Sequence, residues 1–212
     1  TGIGYRHGNK IKRIVSLVPS QTEFLFDIGL HNEIVGVTRF CIHPKNEVQV
    51  KEKIGGTKAF KIEKIKLLNP DLIIGNKEEN YEEGITELER YFPVWMSDIT
   101  DLSSAYSMME ALGYLTGKVQ PATELISNIK STLIKPVQSV QLTAAYFIWR
   151  QPYMVAANGT FINEMLNIFG VKNVFSHLNR YPVIQPTLLA DVKPDLIFLS
   201  SEPYLFKEKH KE

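Results

Sequence analysis

The sequence predicts an α/β protein of two lobes with parallel sheets, joined by a long linking helix, with the second lobe incomplete. Three observations predict it. A strand, helix, glycine, strand grammar opens the chain and recurs after residue 140. A long amphipathic helical stretch separates the two occurrences. Short segments on either side of that stretch echo one another. The expected division is residues 1–100 for the first lobe, 101–136 for the linking helix and 137–212 for the second lobe.

The first strand is read over Lys12 to Val18, a β-branched run stopped by Pro19. Ser20 and Thr22 offer N-cap oxygens, and Glu23 to Ile28 forms a helix that stops at Gly29. Ile34 to Val37 follows as a second strand, completing a βαβ unit in which the strands run parallel and ligand sites lie at their carboxyl ends. The pattern then gives a helix over Lys61 to Leu68, a turn at Asn69-Pro70-Asp71 and a strand at Leu72 to Ile74. A helix from Glu82 to Tyr91 and a strand at Val94 to Met96 close the lobe.

From Leu102 to Val119 apolar residues recur at spacings of three and four, and a second stripe runs from Ala122 to Ile134. Pro121 between them is expected as a kink or as the first position of a new helix. A nearly continuous helix here would span on the order of 50 Å and act as a strut between lobes. Beyond it, Leu142 to Trp149 reads as a strand, Thr160 to Phe169 as a helix closed by Gly170, and Leu196 to Leu199 as a strand. The echo sets Leu68-Asn69-Pro70-Asp71-Leu72-Ile73-Ile74 against Val192-Lys193-Pro194-Asp195-Leu196-Ile197-Phe198. Two strands are all that the second lobe shows, so a further strand and helix are expected outside this chain.

Composition narrows the function. The 212 residues carry a formal charge of +1 and are 44% hydrophobic, which suits a globular fold and gives no nucleic-acid surface. Cys41 is the sole cysteine, so neither an intrachain disulfide nor a cysteine-rich zinc module is available. No stretch approaches the roughly 18 apolar residues that span a bilayer. Thr1 to Arg13 is polar and basic, without the apolar centre of a signal peptide.

Catalytic motifs are missing. No dinucleotide fingerprint follows a strand, and no Gly-x-Ser-x-Gly elbow occurs. Gly113 to Val119 resembles a phosphate loop only loosely and is read as helix. The five histidines fall at no metalloprotease spacing, and the adjacent pairs Glu78-Glu79 and Glu82-Glu83 read as a solvated surface. The chain is therefore expected not to be an enzyme, and no cofactor is expected.

The run from Lys12 to Glu23 (KRIVSLVPSQTE) closely resembles the opening of the periplasmic binding proteins for cobalamin and ferric siderophores. The likeness continues through Gly36-Val37-Thr38, Gly55-Gly56-Thr57, Pro70 to Ile74, Leu112 to Lys118 and Thr160-Phe161-Ile162. It ends with Arg180-Tyr181-Pro182 and Lys193 to Ile197, in the family's order over nearly the whole chain. The resemblance implies two α/β lobes bridged by one long helix. It implies a metal chelate (a corrinoid, or a ferric siderophore or haem) bound in the cleft between them and delivered to the membrane permease of an ABC importer. It also implies a periplasmic or membrane-anchored extracytoplasmic protein, expected as a monomer. Pro121 departs from the family's uninterrupted helix. A cytosolic chelate carrier or sensor, or an enzyme on a similar two-lobed scaffold, are the alternative readings.

Strand-end loops nominate the ligand-binding residues. In the first lobe these are Ser20, Gln21 and Thr22, whose N–H groups open a helix and could meet an anion, with plain capping as the bland reading. Next come Arg39 and Phe40, since a guanidinium grips carboxylate or phosphate bidentately, then Gly56 and Thr57, then Asn76 and Lys77. Cys41 and His43 have metal-ligand chemistry, but a buried thiol and a surface imidazole are the expectation, and no metal site is assigned. In the second lobe Trp149, Arg150 and Tyr153 offer stacking area beside charge, with a core role for Trp149 as an equal reading because it ends a strand, followed by Gly159, Thr160, Arg180 and Tyr181. The resemblance implies that one exposed carboxylate per lobe docks on arginines of the permease, and by position these would be Glu82 and Glu202, with Glu208 in reserve.

Overall fold

The computed structural model describes residues 11–133, 142–201 and 203–210. The chain divides into two compact units. The first takes the residues up to Asp98 together with Tyr106–Ile129, and the second takes Ile99–Ala105 and the residues from Lys130 onward.

The first unit is built on five parallel strands. β1 (Ile14–Ser16) is followed by α1 (Pro19–Asp27), β2 (Ile34–Val37), the short α2 (Lys45–Val48) and β3 (Glu52–Lys53). A small hairpin, β4 (Gly55–Gly56) with β5 (Ala59–Phe60), leads to α3 (Ile62–Leu68), β6 (Leu72–Asn76), α4 (Glu82–Glu89) and β7 (Val94–Ser97). The sheet order is β3-β2-β1-β6-β7, with β1 at the centre. Because side chains alternate along a strand, Ile14, Ile34, Leu72 and Ile74 enter one core with Phe24, Leu25 and Ile28 of α1. Val15 and Ile73 enter another with Ile65 of α3 and Leu88 of α4. Burial on both faces explains why these strands read as unbroken β-branched runs instead of alternating patterns.

Local chemistry sets the helix ends. Pro19 occupies the first position of α1 and Val18 the cap, with no side chain closing it. Ser20 and Thr22 therefore lie within the first turn and are not its caps, as the sequence suggests. The Thr22 hydroxyl lies 2.8 Å from the Val18 carbonyl. At the other end Gly29 takes φ +82°, and the Leu30 N–H returns to the Leu25 carbonyl at 3.0 Å.

The linking segment differs most from expectation. It is two helices, α5 (Leu102–Leu115) and α6 (Val119–Thr132), broken at Gly117 and not at Pro121. Gly117 has φ +69°, and the Lys118 N–H closes on the Gly113 carbonyl at 2.7 Å. Pro121 falls in the first turn of α6, where its missing N–H costs no hydrogen bond. The phosphate-loop-like stretch thus ends a helix and is not helical throughout. Nor is the segment a free-standing strut: Met109 and Leu112 of α5 and Ala122 and Ile126 of α6 belong to the core over α1. A Cβ on Gly113 would approach the Ala122 Cβ to 2.6 Å, so the helix pair requires glycine at that position. At the start of α5, Asp101 accepts from the Ser104 N–H at 2.7 Å, and the Ser104 hydroxyl accepts from the N–H groups of Thr100 and Asp101. Those Ser104 bonds hold the Asp101 carboxyl below the usual carboxylate range.

The second unit holds β8 (Thr143–Trp149), β9 (Met154–Val155), α7 (Phe161–Ile168), β10 (Lys172–Asn173), α8 (Pro186–Val192), β11 (Leu196–Leu199) and a 3-10 turn (Glu208–His210). Four strands stand where the sequence shows two. β8 lies parallel between β10 and β11, and β9 folds back on it antiparallel. Thr160 caps α7, its hydroxyl accepting from the Asn163 N–H at 3.2 Å and donating to the Ala157 carbonyl at 2.8 Å.

The internal echo is a shared joint. α3 ends at Asn69 (φ 44°) and α8 at Lys193 (φ 41°), both left-handed, and each is followed by Pro-Asp. The Asp71 carboxylate accepts from the Lys12 and Arg13 N–H groups at 2.8 and 3.0 Å. The Asp195 carboxylate accepts from the Thr143 N–H at 2.8 Å and its hydroxyl at 2.6 Å. In both units an aspartate entering one strand pins the start of its parallel neighbour.

Candidate ligand-binding loops

In the first unit the loops at the carboxyl ends of β1, β2, β6 and β7 bring two kinds of residue together. Buried polar groups form a fixed base. The Asn76 side chain donates to the Ser97 hydroxyl at 3.0 Å and accepts from the Glu78 N–H at 2.8 Å. Asn80 accepts from the Asn76 N–H at 2.9 Å and donates to the Thr57 carbonyl at 3.0 Å. Gln21 donates to the Ser97 hydroxyl as well, and its own Oε1 has no partner among the described residues. With Ser97 already donating to the Gly75 carbonyl at 3.1 Å, turning the Gln21 amide over would only exchange one unmet group for another. Thr22 is buried in the same base, 3.2 Å from the Cys41 sulfur. Gln21, Thr22 and Asn76 are thus positioned at the site, and their side chains serve the base and not its outer surface.

The outer surface is carried by Ser20, Arg39, Phe40 and Lys77, all exposed. The Arg39 guanidinium sits 4.9 Å from the Phe40 ring centroid, a cation–π contact on the surface. Gly56 makes room for the pair: a Cβ there would come within 3.3 Å of the Phe40 ring. Thr57 is half-buried beside it, and Lys77 faces Asp98 at 3.5 Å. Cys41 is buried between the hydroxyls of Thr22 and Thr38, each 3.2 Å away, whereas His43 is exposed. Among the described residues no three His, Cys, Asp or Glu side chains come together as a metal site.

In the second unit the carboxyl end of β8 carries Trp149, which is 37% exposed, and then Arg150, whose Nε donates to the Tyr153 hydroxyl at 3.4 Å. Tyr153 is anchored by an edge-on contact with Phe147 at 5.8 Å. Gly159 (φ +73°) and Thr160 form the turn into α7, and Arg180 (φ +59°) closes it, donating from Nη1 to the Gly159 carbonyl at 2.9 Å. Arg180 therefore braces the turn, and Tyr181 beside it is half-buried. Glu82 is exposed at the first position of α4. Glu202 lies outside the described residues.

Sequence reading missed Ser97 and Asn80 in the base, and Tyr204, Phe206 and His210 beside Trp149. Tyr204 meets Trp149 edge-on at 5.5 Å and Phe206 at 4.8 Å, and the His210 ring lies 5.7 Å from Tyr204. The one available signal is their place just past the carboxyl ends of β6, β7 and β11.

Comparison with known proteins agrees with this architecture. Over 205 residues the chain is 30% identical to the uncharacterized ABC transporter substrate-binding lipoprotein YvrC of Bacillus subtilis, covering 88% of this chain and 62% of that protein's length. It is 24% identical over 195 residues to the vitamin B12-binding protein of Vibrio campbellii, covering 89% of this chain and 70% of that one. The crystal structure of a possible iron-binding (periplasmic solute-binding) protein from Staphylococcus epidermidis superposes with a TM-score of 0.81 at 23% identity, over 96% of this chain and 81% of that chain. These relatives are binding proteins and not enzymes, and their fold matches the two parallel-sheet units. Residues 14–212 match the model of the periplasmic binding protein family, and the chain belongs to that family.

Proposed function

We propose that the chain captures a metal chelate of the corrinoid, haem or ferric-siderophore kind, as part of the substrate-binding protein of an ABC importer. The observation that carries this reading is a matched pair of strand ends. The first unit sets Arg39 against Phe40 beyond β2, and the second sets Trp149 at the end of β8 with Arg150 just beyond it. A guanidinium beside an exposed ring offers a chelate both stacking area and a charge partner, while the metal stays gripped by its own chelator. The protein works as a monomer outside the cytoplasm and hands its cargo to a membrane permease, with Glu82 as one docking carboxylate. Among the described residues no helix is long and apolar enough to cross a membrane. The kinship with a substrate-binding lipoprotein and a vitamin B12-binding protein supports the reading.

The test is a fluorescence titration. One tryptophan lies in each unit, Trp95 in β7 and Trp149 in β8, so quenching by cobalamin, haemin and ferric siderophores can be assigned to a unit with Trp→Phe variants. Saturable quenching at sub-micromolar concentration by one chelate is expected, with Arg39→Ala weakening it by about 1–3 kcal/mol. Glu82→Ala should leave chelate affinity intact and weaken permease docking. Turnover of any chelate into a product seen by mass spectrometry would overturn the reading.

A further inference from the structure

The corner of the second unit around Trp149 carries more information than its sequence position. Arg150 has no carboxylate partner among the described residues; it meets the phenol hydroxyls of Tyr153 and Tyr204. Those hydroxyls, Tyr153 first, hold the guanidinium more firmly protonated than usual. Trp149, Tyr204 and Phe206 form a chain of edge-on contacts beside it, with interplanar angles of 64° and 67°. Trp149 remains 37% exposed beside Tyr204, which leaves part of its indole surface available to a further ring. Lys207 and Lys209 are exposed on the same segment, and the His210 Nδ1 accepts from the Lys207 N–H at 3.1 Å. His210 sits below its ordinary pKa, first through desolvation and then through the positive charges of Arg150, Lys209 and Lys207. Arg150, Lys207 and Lys209 outnumber Glu208 among the described residues here, and this local excess of positive charge draws an anion, in a chain whose net charge is only +1.

From these contacts we infer that the Trp149–Arg150–Tyr204 corner is a subsite for aromatic, anionic chelates, rings bearing carboxylates or ionised catechols, and selects against neutral chelates coated in amides or hydroxamates. The inference rests on the chelate-binding function proposed above and narrows it. A ring packs against the exposed surface of Trp149 that Tyr204 supports, and Arg150 supplies a charge-assisted hydrogen bond that a neutral amide cannot match. A phenol-bonded guanidinium is well suited to this, because no ion pair among the described residues has to be broken when the ligand arrives.

The experiment compares four ligands on the full chain: haemin, iron(III) tris(catecholate), a neutral ferric hydroxamate and cyanocobalamin. Binding is read from Trp149 emission in a Trp95→Phe background. At least one of the two anionic aromatic chelates should bind about tenfold or more tighter than both neutral ones, and which of the two binds identifies the anion as carboxylate or catecholate. Arg150→Gln, a surface change that removes the charge and keeps a polar side chain, should weaken that ligand by about tenfold or more and leave the neutral ligands unmoved. If haemin is the ligand, its dimethyl ester should lose affinity to the same extent, a comparison that needs no variant. Tighter binding of cyanocobalamin or the hydroxamate would overturn the subsite while leaving the chelate-binding function standing. An Arg150→Gln affinity within about twofold of the original would do the same. Silence with all four ligands and with a wider siderophore panel would remove both.

Discussion

β6 and β11 enter their sheets through the same joint and then diverge. β6 lies between β1 and β7, and all five of its residues are buried. β11 pairs with β8 alone among the described residues, and leaves Leu196, Ile197 and Phe198 at 36%, 51% and 38% exposure. Their sequences, LIIGN and LIFL, are almost equally apolar, so hydrophobicity does not separate them. What separates them is the number of layers each strand is packed into. Fully burying an aliphatic side chain contributes roughly 1.5–3 kcal/mol relative to full exposure, and a half-exposed one in β11 keeps only about half of that. The first unit should therefore be the more stable, and the second should open first under denaturant.

Substitutions can sharpen or break this contrast, with unfolding followed separately through Trp95 and Trp149. The largest loss should come from Ile73→Ala, which empties a fully buried site in β6 and should cost about 2–5 kcal/mol at the Trp95 transition. Gly75→Ala should come next, at about 1–3 kcal/mol, because the new Cβ would lie 2.6 Å from Asn80 Oδ1 and 2.7 Å from Met96 Sδ. In the second unit Thr160→Ala should cost about 0.5–2 kcal/mol at the Trp149 transition through loss of the α7 cap. Ile197→Ala should cost under about 0.5 kcal/mol. A cost rivalling Ile73→Ala would mean that β11 is covered in solution and would end the comparison.

The smallest expected effect concerns acid. Hydrogen bonds from the Thr143 side chain and backbone hold the Asp195 carboxyl below its ordinary value. Below the unfolded value of about 3.9 the unfolded chain binds more protons than the folded one, so this contribution is present above that pH and is lost as pH falls through the lower folded value. Asp195→Asn should flatten the acid limb of the Trp149 transition and leave that of Trp95 unchanged. An unchanged slope in both would show that the joint carries no pH dependence.

Much of this was legible in sequence because the signals are local and strong. The runs at Ile14 and Leu72 read as strands from their β-branched residues, and Asn-Pro-Asp against Lys-Pro-Asp marked the repeated joint. Pro121 was read as a kink or as the first position of a new helix, and it stands in the first turn of one, two residues further in; the break itself depends on Gly117 adopting a left-handed conformation that many glycines never use. β3, β9 and β10 span two residues each and owe their geometry to the neighbouring strand, so their own residues carry little trace of it. At the site, the exposed Arg39 and Trp149 announced themselves by chemistry. Ser97 and Asn80 did not, since a buried serine or asparagine is recognised by its partners, which come from distant strands. Tyr204, Phe206 and His210 lie within or just before a run rich in lysine and glutamate, which carries no periodicity that would mark them.

Cys41 has a practical consequence. It is the chain's single thiol, 1% exposed and enclosed by two threonine hydroxyls in the first unit. A thiol reagent can reach it only when that loop opens, so the rate of labelling becomes a clock for opening events in one half of the molecule while the other half stays silent. Slower labelling with a chelate present would time the tightening of the Arg39–Phe40 loop directly, without a dye, a mutation or a spectroscopic signal from the ligand.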